Sequence, residues 1–170
     1  MNIGVDIRCL MEAQRTGVGE YTYELLNAVF LQDKENQYYL FYNSSKDVSN
    51  NIPKWEQENV HYICLKWPNK FLNLLVWLRF VKLDNLINKK LDYWFSPNLN
   101  FTNLSKRVKH IQTIHDLSFE IMPECFSKKR QWWHKFLNPK KQCKKANIIL
   151  TPSENTKHDV VNIWQISDSK

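Results

Sequence analysis

The chain of 170 residues holds only three glycines, where ordinary usage near 7% gives about a dozen, and all three lie at its start, Gly4, Gly17 and Gly19. Gly17 and Gly19 flank Val18 between a strand-plus-loop and a helix. Missing side chains there let a ligand approach the backbone, and the helix N-terminus that follows offers free N–H groups to a phosphate. Phosphate binding is one reading of Thr16-Gly17-Val18-Gly19-Glu20-Tyr21. In the other, the glycines only shape a turn and a helix start. The string is not a dinucleotide fingerprint, which needs a third glycine and a shorter approach from the strand. Nor is it a triphosphate loop, because no Gly-Lys-Ser/Thr follows.

A second set of candidates stands at strand ends. His115 and Asp116 follow an apolar strand, and in open α/β sheets the ends of parallel strands line the ligand crevice. Adjacent residues point in different directions, so the two do not form an acid–base pair by sequence alone. Asp6 and Arg8 close the first strand and read either as site residues or as an ion pair that fixes the next loop. Further on, Trp132, Trp133 and Phe136 accompany Lys128-Lys129-Arg130 and Lys140-Lys141. Such a set suits a lipid interface or nucleic acid. The expectation is that these aromatics pack inward, and membrane contact is kept as a hypothesis for the cations.

These residues need elements to position them. Asn2 to Ile7 reads as a strand, and Glu20 to Leu31 as a helix with Tyr21, Leu25, Leu26, Val29 and Phe30 at helical spacing. Gln37 to Tyr42, Val60 to Leu65, Asp92 to Ser96, Lys109 to Ile114 and Asn147 to Thr151 read as further strands. Phe71 to Ile87 is long enough for one helix, with so wide an apolar stripe that it is either buried or in contact with a membrane. Ser127 to Ala146 is helical with an interruption at Asn138-Pro139, and Ser153 caps a helix from Glu154 to Ile166. Alternating strands and helices predict a doubly wound α/β fold, a Rossmann-like parallel sheet with helices on both faces. No repeat, low-complexity stretch or linker divides the chain, so residues 1–170 are expected to form a single domain.

Composition agrees with a globular chain: 43% apolar and 14% aromatic residues suffice for a core. Net charge is +7 and uneven, with eleven Lys or Arg between Phe101 and Leu150 against Asp116, Glu120 and Glu124. A basic half attracts nucleic acid, anionic lipid or phosphorylated small molecules. Cys9, Cys64, Cys125 and Cys143 are too scattered for a Cys-x-x-Cys pair or a zinc set, so no disulfide and no metal are expected. No segment reads as a membrane span or a secretory leader, and a cytoplasmic location is expected, with peripheral contact at the inner membrane face as an option.

Five strings together resemble one family, the retaining GT-B glycosyltransferases of the large family 4 group, which includes many bacterial enzymes of cell-surface polysaccharide synthesis. They are Ile3-Gly4-Val5-Asp6-Ile7-Arg8, Arg15-Thr16-Gly17-Val18-Gly19-Glu20-Tyr21-Thr22, Phe95-Ser96-Pro97-Asn98, Thr113-Ile114-His115-Asp116-Leu117 and Thr151-Pro152-Ser153-Glu154-Asn155-Thr156, in the family's order. The resemblance implies the N-terminal, acceptor-side half of a two-domain enzyme that transfers a hexose from a nucleotide-sugar to a polysaccharide or lipid-linked acceptor. It places Gly17, Gly19, Glu20, Asp6, Arg8 and Asp116 at the substrate and donor-diphosphate site and His115 beside the transferred sugar, as the catalytic candidate. The nucleotide-sugar is a substrate in this scheme, and no cofactor or metal is implied. The family's second half, with its pair of glutamates and most of its nucleotide contacts, has no counterpart in these residues. The chain is therefore expected to be inactive alone and to need a C-terminal donor domain or subunit. The competing expectation is a non-enzymatic basic module for anionic membrane or nucleic acid, with nucleic acid disfavoured because no recognition motif for it is present.

Overall fold

The computed structural model describes residues 1–170. Six strands, β1 (Asn2–Asp6), β2 (Gln37–Asn43), β3 (Val60–Leu65), β4 (Tyr93–Ser96), β5 (Lys109–Thr113) and β6 (Ile148–Leu150), form one sheet in the order β3-β2-β1-β4-β5-β6. Every pairing is parallel, and Val5 sits centrally between Leu40 and Phe95. This is the α/β, Rossmann-like sheet that the alternation of elements predicts. The strand order reverses direction at β1 and β4, so the crevice of such a sheet opens beyond Asp6 and Ser96.

Burial on both faces explains why β2 shows no period-two pattern. Tyr38 and Leu40 pack into one core with Val5, Leu26 and Phe30, while Tyr39 and Phe41 pack into another with Leu72, Val76 and Trp94. Helix α1 (Gly17–Gln32) covers the first face through Thr22, Leu26 and Phe30, one helical turn apart. The second face is covered by α2 (Asn69–Trp77) and α3 (Leu83–Leu86). A third cluster joins Ile114 and Leu117 to Cys143 and to Val160 and Trp164 of the last helix, α7 (Glu154–Trp164). The intervening helices are α4 (Ser118–Ile121), α5 (Lys128–Leu137) and α6 (Pro139–Lys145).

Two expectations are corrected. The stretch from Phe71 to Ile87 is two helices, because α2 ends with Arg79 in the left-handed region at φ 64°. The Phe80 N–H then bonds the Leu75 carbonyl and the Arg79 N–H bonds that of Val76, the hydrogen-bond pair that closes a helix around a left-handed residue. Leucine-rich sequence hides this stop, since glycine ordinarily marks it and arginine holds the place here. Helix α1 begins at Gly17 rather than Glu20, with Thr16 as N-cap accepting from the Gly19 N–H. The break at Asn138 falls where the sequence places it: Asn138 is left-handed at φ 49° and caps α6 by accepting from Lys141 N.

Two strand connections carry no helix. At residues 44–59 the buried side chains of Ile52 and Trp55 fill the place a helix would take over the first face. At residues 97–108 the chain crosses from β4 to β5 as irregular loop, with Phe101 and Leu104 only partly buried against the second face. A large cavity lies beside that second loop.

Candidate functional site

The first turn of α1 forms one wall of the switch-point crevice. Thr16 Oγ1 and the Thr16 carbonyl take the N–H groups of Gly19 and Glu20, which leaves those of Gly17 and Val18 without a protein partner. Neither glycine has positive φ, so neither is demanded by the backbone. A Cβ built at Gly17 meets nothing within 4 Å, and one at Gly19 meets only Arg15 Cβ and the Cys9 carbonyl at 3.5 Å, an ordinary contact. Gly4 differs: its Cβ would sit 2.7 Å from Leu91 and Trp94, so close packing explains that glycine. Open space above two unpaired N–H groups at the end of a sixteen-residue helix is a setting for an anion. Glu20 lies exposed in the same turn, 3.6 Å from the Arg15 guanidinium, which itself stacks on Tyr23.

His115 stands at the same edge. Its Nε2–H donates to the Pro97 carbonyl at 2.8 Å, just beyond β4, and this fixes the tautomer of the neutral ring with Nδ1 as acceptor. Its ring meets Tyr21 of α1 edge-on, centroids 4.8 Å apart. From the other side, Thr156 Oγ1 of α7 donates to the His115 carbonyl at 3.0 Å, and Ser153 caps that helix by accepting from Thr156 N. The glycine turn, the end of β4, the end of β5 and the start of α7 therefore meet around one half-buried imidazole. Sequence spacing singles out His115 but not Tyr21 or Thr156, the side chains that hold it.

Asp6 and Arg8 are buried against one another. Arg8 Nε and Nη2 donate to the two carboxylate oxygens at 2.8 and 2.6 Å, and Nη2 also reaches the Phe101 carbonyl at 3.0 Å. The pair pins the end of β1 to the 97–108 loop, and Arg8 Nη1 adds a long contact to Asn73 of α2 at 3.4 Å. Asp116 is exposed and accepts from the backbone N–H and the hydroxyl of Ser118, which starts α4. Its carboxylate points into its own turn.

Beneath the crevice runs a buried polar chain that the sequence reading missed. Trp94 Nε1 donates to Ser96 Oγ at 3.1 Å, and Ser96 Oγ and His110 Nε2 share a hydrogen bond at 3.0 Å. Burial lowers the His110 pKa to about 4, against a smaller opposing pull from the Asp6 charge. A neutral, enclosed imidazole so arranged holds β4 to β5. Gln112, fully buried beside it, donates to the Ser96, Asn98 and Thr113 carbonyls but leaves its Oε1 unpaired. Burial also pushes the Cys9 thiol up to about 11 and Cys143 to about 12, which keeps both protonated and unreactive at neutral pH.

No group of three or more His, Cys, Asp or Glu side chains is placed to hold a metal ion, and no helix is long and apolar enough to cross a membrane. Compared with known proteins, the chain matches no family model, no curated protein and no solved structure. What fold and site define is a class: an open parallel α/β sheet whose switch-point crevice joins a glycine-opened helix N-terminus to a histidine.

Proposed function

We propose that this chain is the acceptor-side half of a nucleotide-sugar-dependent glycosyltransferase of the retaining GT-B kind, handing a hexose to a cell-surface polysaccharide or lipid-linked acceptor at the inner face of a membrane. One observation carries the reading: the unpaired Gly17 and Val18 N–H groups and His115 share the switch-point crevice, bridged by Tyr21. In this scheme the two amides receive an oxygen of the donor diphosphate and stabilise the charge that grows as it departs. His115, with Nε2–H committed to Pro97, offers Nδ1 to a hydroxyl of the transferred sugar. Asp6 and Arg8 set the end of β1 without touching substrate. A donor domain or subunit supplies the remaining contacts.

The test is titration calorimetry of the chain with UDP-, GDP-, ADP- and dTDP-hexoses and the corresponding free diphosphates. Weak binding of at least one nucleotide, lost in Gly17→Leu while the circular dichroism spectrum is retained, supports the reading. Binding by none of the panel, or binding that Gly17→Leu leaves untouched, overturns it.

A further inference from the structure

A second feature lies over the second face of the sheet, beside the 97–108 loop. Between α2, the 97–108 loop, α5 and α6 is a cavity of about 920 Å³, whose wall includes His110 in the first half of β5 and Asn147 just before β6. It thus reaches the edge of the sheet opposite the crevice. Six cations line it, Arg79, Lys82, Lys106, Lys135, Lys141 and Lys145, and no Asp or Glu does. The carboxylate nearest along the lining chain, Asp84, is buried and already bonded to Ser105, with Arg107 at 3.7 Å. Partial burial, together with the Arg79 and Lys141 charges, pushes Lys145 below the usual lysine value, a sign of cations crowded without counter-charge.

The cavity opens along an aromatic shelf. A smaller apolar hollow of about 380 Å³, lined by Leu74, Trp77, Phe101, Trp133 and Phe136, shares Trp77, Phe101 and Phe136 with it. Trp77 and Phe136 rings lie 5.8 Å apart, and Phe136 and Trp132 6.0 Å, so α2 and α5 form one surface. Contrary to the inward packing expected from sequence, Trp132 is 57% and Phe136 50% exposed, and Phe80 past the end of α2 is 76% exposed. Lys135 Nζ stands 5.2 Å from the Trp132 ring centroid, with Lys70 at the rim of the hollow.

We infer that this face docks on an anionic phospholipid membrane, the aromatic side chains of α2 and α5 entering the headgroup boundary and a lipid phosphate seated among the cavity's cations. Exposed Trp and Phe within a ring of lysines, with no acidic side chain in the lining, match the chemistry of that boundary. Protein–protein interfaces are depleted in lysine, so charge favours lipid over a protein partner. The inference gives the membrane side of the transferase reading a surface, but it rests on separate residues and fails separately, because it uses neither the glycine turn nor His115.

The experiment is flotation of the whole chain with vesicles of phosphatidylcholine alone or mixed with phosphatidylglycerol, read with tryptophan emission, alongside titration with soluble glycerol phosphate. Partition onto the anionic vesicles only, with a blue shift, is expected, and weak or absent glycerol phosphate binding accompanies it. Neither the Lys141 nor the Lys145 side chain makes a hydrogen bond within the fold, so Lys141→Ala/Lys145→Ala tests charge without unfolding; it lowers partition about twenty-fivefold, about fivefold for each cation removed. Trp132→Ala/Phe136→Ala abolishes most of the blue shift. Equal partition onto both vesicles, none onto the anionic ones, or parental partition by the lysine variant overturns the inference. So does saturable glycerol phosphate binding without vesicle binding, which marks a soluble phosphate site, or partition that persists only when an acidic protein is added.

Discussion

Replacing Gly17 and Gly19 together by alanine separates the two explanations of the glycine turn, because they predict opposite signs. Both residues sit in the first turn of α1 with negative φ, and a helical glycine costs about 0.5–1 kcal/mol relative to alanine. The added methyl at Gly17 enters open space, and that at Gly19 makes ordinary contacts at 3.5 Å, so neither introduces strain. Gly17, at the first helical position, contributes the smaller share. The double variant is therefore expected to be more stable by about 1 kcal/mol, or about 2–4 °C in Tm for a chain of this size. Urea denaturation followed by circular dichroism, with calorimetry for Tm, measures this. Gly4→Ala is the internal control: a methyl 2.7 Å from Leu91 and Trp94 overpacks the core and lowers stability by about 1–3 kcal/mol. If glycine is held at positions 17 and 19 for a ligand, the stabilised double variant binds nucleotide diphosphate at least tenfold more weakly. Loss of stability in it would falsify the claim that the fold does not need these glycines. A gain in stability with unchanged nucleotide binding would refute the ligand role instead.

Two further predictions follow from buried or strained groups. His110 has a folded pKa of about 4 against 6.5 ordinarily, so between those values the unfolded chain binds a proton the native one refuses. Stability contributed by neutral His110 is full above pH 6.5 and falls as pH drops toward 4, by about 3 kcal/mol in total; His110→Gln removes this component, and parallel urea stability curves for the two proteins at pH 7 and 4.5 would contradict it. Arg79→Gly relieves a left-handed arginine and should stabilise by about 1 kcal/mol, while taking one cation from the cavity and lowering anionic-vesicle partition about fivefold. A destabilised Arg79→Gly, or one with undiminished partition, counts against that account.

The sheet was legible because its signals are local. Short apolar runs bounded by turn residues marked all six strands, and Asn138-Pro139 and Ser153 marked a break and a cap through their own side-chain chemistry. Legibility ended where a residue's role depends on partners far along the chain. His115 is held by Tyr21 and Thr156, ninety-four and forty-one positions away, and Ser96 meets His110 across neighbouring strands. No spacing rule reports such pairs. The rule that apolar residues go inside failed at Trp132, Trp133 and Phe136, since α5 packs through Leu137 at its end and leaves the other rings outward. Charge gave the missing signal there: aromatics amid unopposed lysines need not seek a core.

Asp6 and Arg8 acquire a different meaning once both regions are considered together. Arg8 spans from the end of β1, at the crevice, to the Phe101 carbonyl, and the Phe101 ring lies 6.3 Å from Trp133 on the aromatic shelf. Asn73 of α2 takes the same guanidinium more weakly. A doubly wound sheet ordinarily braces its second face with crossover helices, but the β4–β5 connection has none. The buried ion pair braces the loop in their place: breaking it leaves a charge unpaired in the interior, a cost of about 3–5 kcal/mol, which makes the strut stiff. The loop that carries Phe101 is thereby fixed to the strand that leads into the glycine turn. A surface held this way presents the shelf at a set angle to the crevice, so a domain resting on a membrane through α2 and α5 would carry its ligand crevice in one defined orientation.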